Sequence, residues 1–405
     1  MSPPLSESCR FAPTFLRYPL TGALPRTPEV IPRGGCMSEW REFRLGDVAT
    51  YKTGKLNSNA ETPDGIYPFF TCSPITLKID KYAFDEEALL LAGNNANGVF
   101  SLKYFNGKFN AYQRTYIISP VDICNIKYLL YSLKQQLSNL EFISHGTATK
   151  FLTKPILDAI PVLLPPLPEQ RVIASVLSSL DDKIDLLHRQ NKTLEAMAET
   201  LFRQWFVEEA DEGWEEGTIA DLIDFNPNRK LTKGMPARYL EMANLSTSTF
   251  MPTDWYEREF TSGMKFMNGD TLIARITPCL ENGKTAYITF LNDNETGWGS
   301  TEYIIMRPKD PINSFFAYTL ARNKEFRDYA EGCLEGTSGR QRVNINHLMI
   351  YPFALPDNET LEKFNTVALS IVPKLNENAN QIRTLEKLQD TLLPKLMSGE
   401  VRVEV

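Results

Sequence analysis

The sequence predicts an α+β fold. Two tandem α/β domains are separated by two long helices that form an intramolecular antiparallel coiled coil, giving a pseudo-two-fold repeat. Three observations lead there. Residues 167–207 contain no glycine and, after Pro168, no proline, and apolar residues recur along them at alternating steps of four and three. The seam is Ile173, Leu177, Leu180, Ile184, Leu187, Leu194, Ala198, Leu201 and Trp205, interrupted only by Asn191. A 3.5-residue repeat marks the narrow stripe of a coiled-coil helix, here about 60 Å long at roughly 1.5 Å per residue. Second, Phe364, Ala368, Ile371, Leu375, Asn378, Ile382, Leu385, Gln389, Leu392 and Leu396 repeat that seam, each 191 residues after its counterpart. Third, the segments before the two seams share matched runs in the same order, the signature of an internal repeat.

Taken in order, residues 1–36 hold seven prolines and no helix or strand periodicity. They lack the apolar core of a secretory signal. They read as a disordered extension, or as translated upstream sequence before a misplaced start, with Met37 opening the ordered chain. A short functional tail is the alternative. Residues 37–166 form the first domain. Strand-like runs at 88–92 and 115–118 alternate with the turn clusters GNNANG and FNGKFN. A helix over 126–140, a polar loop over 145–150 and the strand-like IPVLLPPLP follow. Pro165, Pro166 and Pro168 end the domain, and Pro168 and Glu169 suit the first turn of the central helix, 167–210.

The second domain, 211–356, has the same plan. Trp214 opens it as Trp40 opens the first, and Asp221-Leu222 follows Trp214 as Asp47-Val48 follows Trp40. DTLIARITP matches EALLLAGNN, and STEYIIMRP matches YQRTYIISP. A helix over 314–329 precedes the loop 335–340, which matches 145–150 at an offset of 190. Residues 357–405 form the C-terminal helix and tail, where Pro373 is expected to kink the first turns or delay their start.

Each long helix has a stripe it cannot bury alone, so the two should pack on each other. The compact domain between them brings the chain back, which makes them antiparallel. Laying their ends level pairs 173 with 396, and Asn191 then meets Asn378. A buried asparagine pair fixes register, because every slipped alignment leaves an amide unpaired. The alternative is that each asparagine bonds water at a wet seam.

Composition bounds the function. The chain has 405 residues, 42% hydrophobic and 23% charged, which suits two or three domains. No run approaches 18 consecutive apolar residues, so no membrane span is expected. Six scattered cysteines without a CxxC pair and three histidines argue against a zinc site or a disulfide framework, and fit a cytoplasmic protein. Net charge is −7; residues 38–165 carry 13 basic and 12 acidic side chains, and residues 211–356 carry 15 and 20. Any DNA contact must therefore use local patches, or partner subunits supply the positive surface.

Catalytic signatures are missing. There is no GxGxxG, GxxxxGK[ST], HExxH or GxSxG run. Gly283-Lys284-Thr285 has Pro278 where a phosphate-binding loop needs its first glycine. No [DN]PP[FY] run of an adenine methyltransferase is present. His145 and His188 have no nucleophile nearby in sequence. Asp181-Asp182 is expected on the solvent face of the central helix.

Side chains suited to DNA cluster in loops. The first domain offers Lys52, Lys55, Asn94, Asn95, Asn97, Lys103, Lys108, Gln113, Arg114, Thr147, Thr149 and Lys150. The second offers Asn228, Arg229, Lys230, Lys233, Arg275, Asn282, Lys284, Arg340, Gln341 and Arg342. Arginine can grip guanine edges and Asn or Gln adenine edges bidentately, while Lys and Thr hold phosphates. The bland alternative is that the Asn and Gly make turns and the lysines are ordinary surface. The loops 146–150 and 336–342 are the strongest pair, being polar, cation-ended and matched in position.

The chain resembles the specificity subunits of type I restriction-modification systems. The resemblance covers residues 37–405. It is carried by LPPLPEQRVIASVLSSLDDKIDLLHRQNKTLEAMAETLFRQWF, RITPCLENGKTAYI and LEKLQDTLLPKLMSGEVRV. It implies that the globular segments are target-recognition domains, each reading one half of a bipartite double-stranded DNA site. The helices would act as a ruler and dock two modification subunits, with restriction subunits completing the complex. It implies no catalysis and no cofactor in this chain, with S-adenosylmethionine, ATP and Mg on the partners. A coiled-coil scaffold without DNA function, or a self-contained DNA methyltransferase or nuclease, are the alternatives.

Overall fold

The computed structural model describes residues 40–95, 100–143, 150–337 and 339–404, so the segment 1–36 lies outside the described residues. The chain forms two compact units: Met1–Ser175 with Leu393–Val405, and Val176–Leu392. Both are mixed α/β. Among the described residues no helix is long and apolar enough to cross a membrane.

The first unit is built on a six-stranded sheet. Its order is Ala49–Thr53, Thr115–Pro120, Phe84–Ala92, Leu102–Ala111, Tyr67–Phe70, Leu77–Ile79. Only the pairing of Leu102–Ala111 with Tyr67–Phe70 is parallel. Phe84–Ala92 ends in five consecutive buried residues, as a strand covered on both faces must. Phe70, Ala88, Leu90, Phe109, Ala111 and Ile117 form one core on this sheet. The expected helix runs as Ile126–Ile143.

Arg41–Arg44 pairs antiparallel with Pro161–Leu164, and a one-turn helix, Leu45–Val48, follows. The matched aspartates are explained here. Asp47 Oδ2 accepts the Arg44 N–H at 3.2 Å, and in the second unit Asp221 Oδ2 accepts the Thr218 N–H at 2.8 Å. Both are third-position caps that hold single helical turns too short to persist alone. At the base of the first unit, Glu169 is buried at 3% exposure and takes Arg402 on both oxygens, at 3.0 and 2.8 Å, and Trp40 Nε1 at 3.2 Å.

The second unit carries two four-stranded sheets. One is ordered Ile223–Phe225, Tyr303–Pro308, Thr271–Ala274, Thr285–Tyr287. The other is ordered Tyr256–Glu259, Pro236–Leu240, Gly297–Gly299, Met264–Phe266. Glu215–Thr218 pairs with Pro352–Leu355, as Arg41–Arg44 pairs with Pro161–Leu164 in the first unit. The helix expected over 314–329 is instead two, Phe315–Arg322 and Lys324–Gly332. Asn323 breaks it. Its backbone is extended and its side chain accepts the Phe326 N–H at 3.1 Å, starting a new helix.

The central helix spans Leu167–Arg203 and passes into a π-helical turn, Gln204–Glu208. The C-terminal helix spans Asn358–Ser398. It is not delayed by Pro373. That residue is exposed, so the Leu369 carbonyl it leaves without a helical donor lies on a solvent-facing stretch where water can satisfy it.

Asn378 Nδ2 donates to Asn191 Oδ1 at 2.9 Å, with Asn378 fully buried and Asn191 at 9% exposure. Gln389 Nε2 donates to Asp181 Oδ1 at 2.6 Å. These two pairs follow opposite orders along the two helices. Asp181 therefore does not stand on the solvent face as expected; it accepts a seam residue's amide.

The seam itself shifts. Leu194, Leu201 and Trp205 are only half-buried, while Glu195, Ala198, Phe202 and Phe206 are buried. Near this end the helix packs into a core that also holds Phe316, Phe353 and Phe364, so a broader face is covered than a coiled-coil stripe. We expect Asn378→Leu to strand the Asn191 amide and destabilise the second unit by about 1–3 kcal/mol. Adding Asn191→Leu should return stability to wild type or above. A double-mutant cycle in urea measures it, and a second substitution that adds further loss contradicts the pairing.

Candidate nucleic-acid interface

In the first unit the candidate site is stitched by backbone. Where the strand Phe84–Ala92 ends, the Gly93 N–H donates to the Arg114 carbonyl at 2.8 Å, and the Gly93 carbonyl accepts the Leu152 N–H at 2.8 Å. Asn94 then pairs with Phe151 and Asn95 with Lys150, antiparallel. Three stretches singled out separately in the sequence, at 94–95, 113–114 and 150, thus become one surface. For Asn95 and Lys150 only the backbone is described. Asn97, Thr147 and Thr149 lie outside the described residues.

Side chains complete the surface. Cys72 Sγ donates to Asn94 Oδ1 at 2.8 Å. That engages one lone pair of the oxygen, and bidentate adenine recognition uses both amide ends; Asn94 keeps its Nδ2 donor and the oxygen's second lone pair. The Arg114 guanidinium lies 5.5 Å from the Phe151 ring centroid, a cation–π arrangement. Gln113 Nε2 donates to Asn57 Oδ1 at 3.2 Å.

The lysines are divided among other tasks. Lys103 Nζ donates to the Ser73 carbonyl and Thr76 Oγ1 at 3.2 and 3.0 Å, and burial lowers its pKa. Lys52 pairs with Glu86 at 3.0 Å, and Lys108 lies 4.7 Å from the Tyr82 ring centroid. Lys55 is exposed.

The second unit has the same wiring. The Arg275 N–H donates to the Glu302 carbonyl at 2.8 Å, its carbonyl accepts the Val343 N–H at 2.9 Å, and Ile276 bridges Arg342. The Thr277 N–H donates to the Gln341 carbonyl at 3.0 Å, and the Gln341 N–H to Thr277 Oγ1 at 3.1 Å. The loop is a hairpin, Leu334–Glu335 with Arg342–Val343, and Gly336 and Gly339 take positive φ at 113° and 84° where side chains would strain. Ser338 at its tip lies outside the described residues.

Arg342 grips Glu302 through Nε at 2.9 and 3.0 Å and Nη2 at 2.7 Å. Arg275 Nε donates to the Val343 carbonyl at 3.1 Å. Lys284 Nζ donates to the Met242 carbonyl at 2.8 Å, so the lysine of the Gly283-Lys284-Thr285 run ties a turn. Arg229 reaches the buried Asp270 at 2.9 Å, where Arg307 also binds at 2.6 Å. Burial still pushes the Asp270 carboxyl upward despite both arginines. Asn228, Lys230, Lys233, Asn282 and Arg340 are exposed.

Comparison with known proteins completes this geometry. Residues 37–196 match the model of the type I restriction modification DNA specificity domain. The EcoDI specificity subunit of Escherichia coli is 40% identical over 142 residues, covering 35% of this chain and 31% of that protein. The MjaVIII specificity subunit of Methanocaldococcus jannaschii is 23% identical over 410 residues, covering 90% of this chain and 94% of that protein. Residues 37–196 carry a type I restriction modification DNA specificity domain. The crystal structure of the S subunit from M. genitalium shares its fold, with a TM-score of 0.59 and 17% identity over 94% of this chain and 100% of that one.

The candidate residues read from the sequence do not include Cys72, Phe151 and Glu302, which the structure places against Asn94, Arg114 and Arg342. A signal for Glu302 existed. Aligning STEYIIMRP on YQRTYIISP sets Glu302 on Arg114, a charge reversal at a matched position.

Proposed function

We propose that this chain is the non-catalytic DNA-reading subunit of a type I restriction-modification complex. Each globular part, 37–166 and 211–356, is a target-recognition domain for one half of a bipartite double-stranded site. The two long helices form an antiparallel coiled coil whose register the Asn191–Asn378 pair sets. They act as the ruler between half-sites and dock two modification subunits. S-adenosylmethionine sits on those subunits, and ATP and Mg on the restriction subunits. The observation that carries the reading is the repeated main-chain wiring around Arg114 and Arg342, two polar surfaces with different side chains on one scaffold. Phosphate contacts would fix register and the loop Arg, Asn and Gln would read base edges.

Mapping methylated adenines in cells with and without the chain tests this. The expected result is a chain-dependent motif with two unlike halves. Inserting seven residues at matched positions in both helices should lengthen the spacer by about three base pairs, from about 1.5 Å per residue and roughly 3.4 Å per base pair. Absence of a chain-dependent motif, or a change in the half-sites instead of the spacer, contradicts it.

A further inference from the structure

The matched backbone bonds make positions 114 and 302 equivalent, and positions 151 and 342 equivalent. Phe151 and Arg342 are 191 residues apart, as are Leu152 and Val343. The side chains across the two seats are exchanged. In the first unit an arginine at 114 faces Phe151; in the second a glutamate at 302 faces Arg342. Each seat holds one arginine, supplied from opposite sides. We infer that Arg114 and Arg342 are the equivalent base-reading arginines of the two units, and that Phe151 and Glu302 are the positioning residues that aim them. This rests on the DNA-reading function proposed above.

The chemistry of the second seat is specific. A guanidinium has five N–H donors in a planar fork. Glu302 takes Nε and one Nη2 hydrogen. Nη1 and the other Nη2 hydrogen remain, and they form the outer edge that fits N7 and O6 of guanine. The Arg342 side chain is 46% exposed and Glu302 22%, so the buttress lies inward and the reading edge outward. Holding the fork in place before DNA arrives removes part of the ordering cost of binding. In the first seat the Phe151 ring meets the Arg114 guanidinium and takes none of its N–H donors.

The other arginines of this surface in the second unit suit this task less well. Arg229 is held on Asp270, and Arg275 donates through Nε to a backbone carbonyl. Arg340 is exposed at the loop tip, a position better suited to a phosphate.

The test is adenine-methylation mapping in cells carrying the full chain with its modification subunits. Glu302→Ala should weaken guanine preference at one position of one half-site by about tenfold, leaving its other positions and the other half unchanged. Arg342→Ala should relax the same position. Arg114→Ala and Phe151→Leu should relax one guanine position in the opposite half. A recognition domain that failed to fold would lose its whole half-site, so loss at one position separates aiming from structural support. Glu302→Ala that leaves every position as in wild type, or weakens a half-site evenly, overturns the inference. If the wild-type chain directs no motif, the DNA-reading function itself falls, and this inference with it.

Discussion

Phe202→Ala should lower the melting transition of the second unit by about 10 °C. Phe202 is fully buried. Its ring centroid lies 5.1 Å from that of Phe206, 5.1 Å from Phe316 and 6.2 Å from Phe364. One cluster therefore joins the end of the central helix, a helix of the globular part and the C-terminal helix. Removing a buried phenylalanine costs about 3–5 kcal/mol, because lost transfer energy adds to the cavity left behind. Each kcal/mol moves Tm by roughly 2–4 °C in a unit of this size. Calorimetry of the full chain reads the shift. A change under about 2 °C would mean that the helix end is not integral to the core.

The second large effect depends on pH. Glu195 sits on the central helix, 6% exposed, beside a cavity of about 530 Å³, and accepts the Tyr318 hydroxyl. Burial pushes its pKa up to about 7, only partly offset by the Tyr318 hydrogen bond and the Arg322 charge; Glu199 adds a smaller upward push. Its ordinary value is 4.5. The folded state therefore binds more protons than the unfolded state between those values, and stability falls as pH rises through that window. Below pH 4.5 the group costs nothing; above about 7 the cost is complete, on the order of 3 kcal/mol.

Glu195→Gln keeps an acceptor for Tyr318 and removes the charge. It should raise Tm at pH 8 by roughly 6–12 °C and leave stability at pH 4 nearly unchanged. The melting transition measured from pH 4 to 8 decides this. A variant no more stable than wild type at pH 8 would contradict it. Asp270, also raised by burial, adds slope of the same sign in both proteins and cancels in the difference.

These two sites mark where the sequence was readable and where it was not. Asn191 and Asn378 could be paired in advance because a heptad seam has one phase, and level ends leave one sum for facing positions. Glu195, Phe202 and Phe206 were missed for a related reason. At that end the helix meets a mixed core and buries a wider face than its stripe. Asn323 was read as a helix residue, since only its extended backbone and its bond to Phe326 reveal a cap. At the candidate interface, composition made the polar loops legible, but the partners of their side chains come from far along the chain. Lys103 is held by Ser73 and Thr76, and Arg229 by Asp270. Such pairings decide which cations stay available, and no local pattern encodes them.

The wiring around Gly93 and Arg275 has an evolutionary consequence. The bonds at Gly93 and Arg275 themselves run from main-chain N–H to main-chain carbonyl, so exchanging the side chains at 114, 151, 302 or 342 breaks none of those bonds. What the surface displays can drift while the fold beneath it stays equally stable. A lineage pressed to acquire a new preference could find one by single substitutions here, without compensating changes in the core.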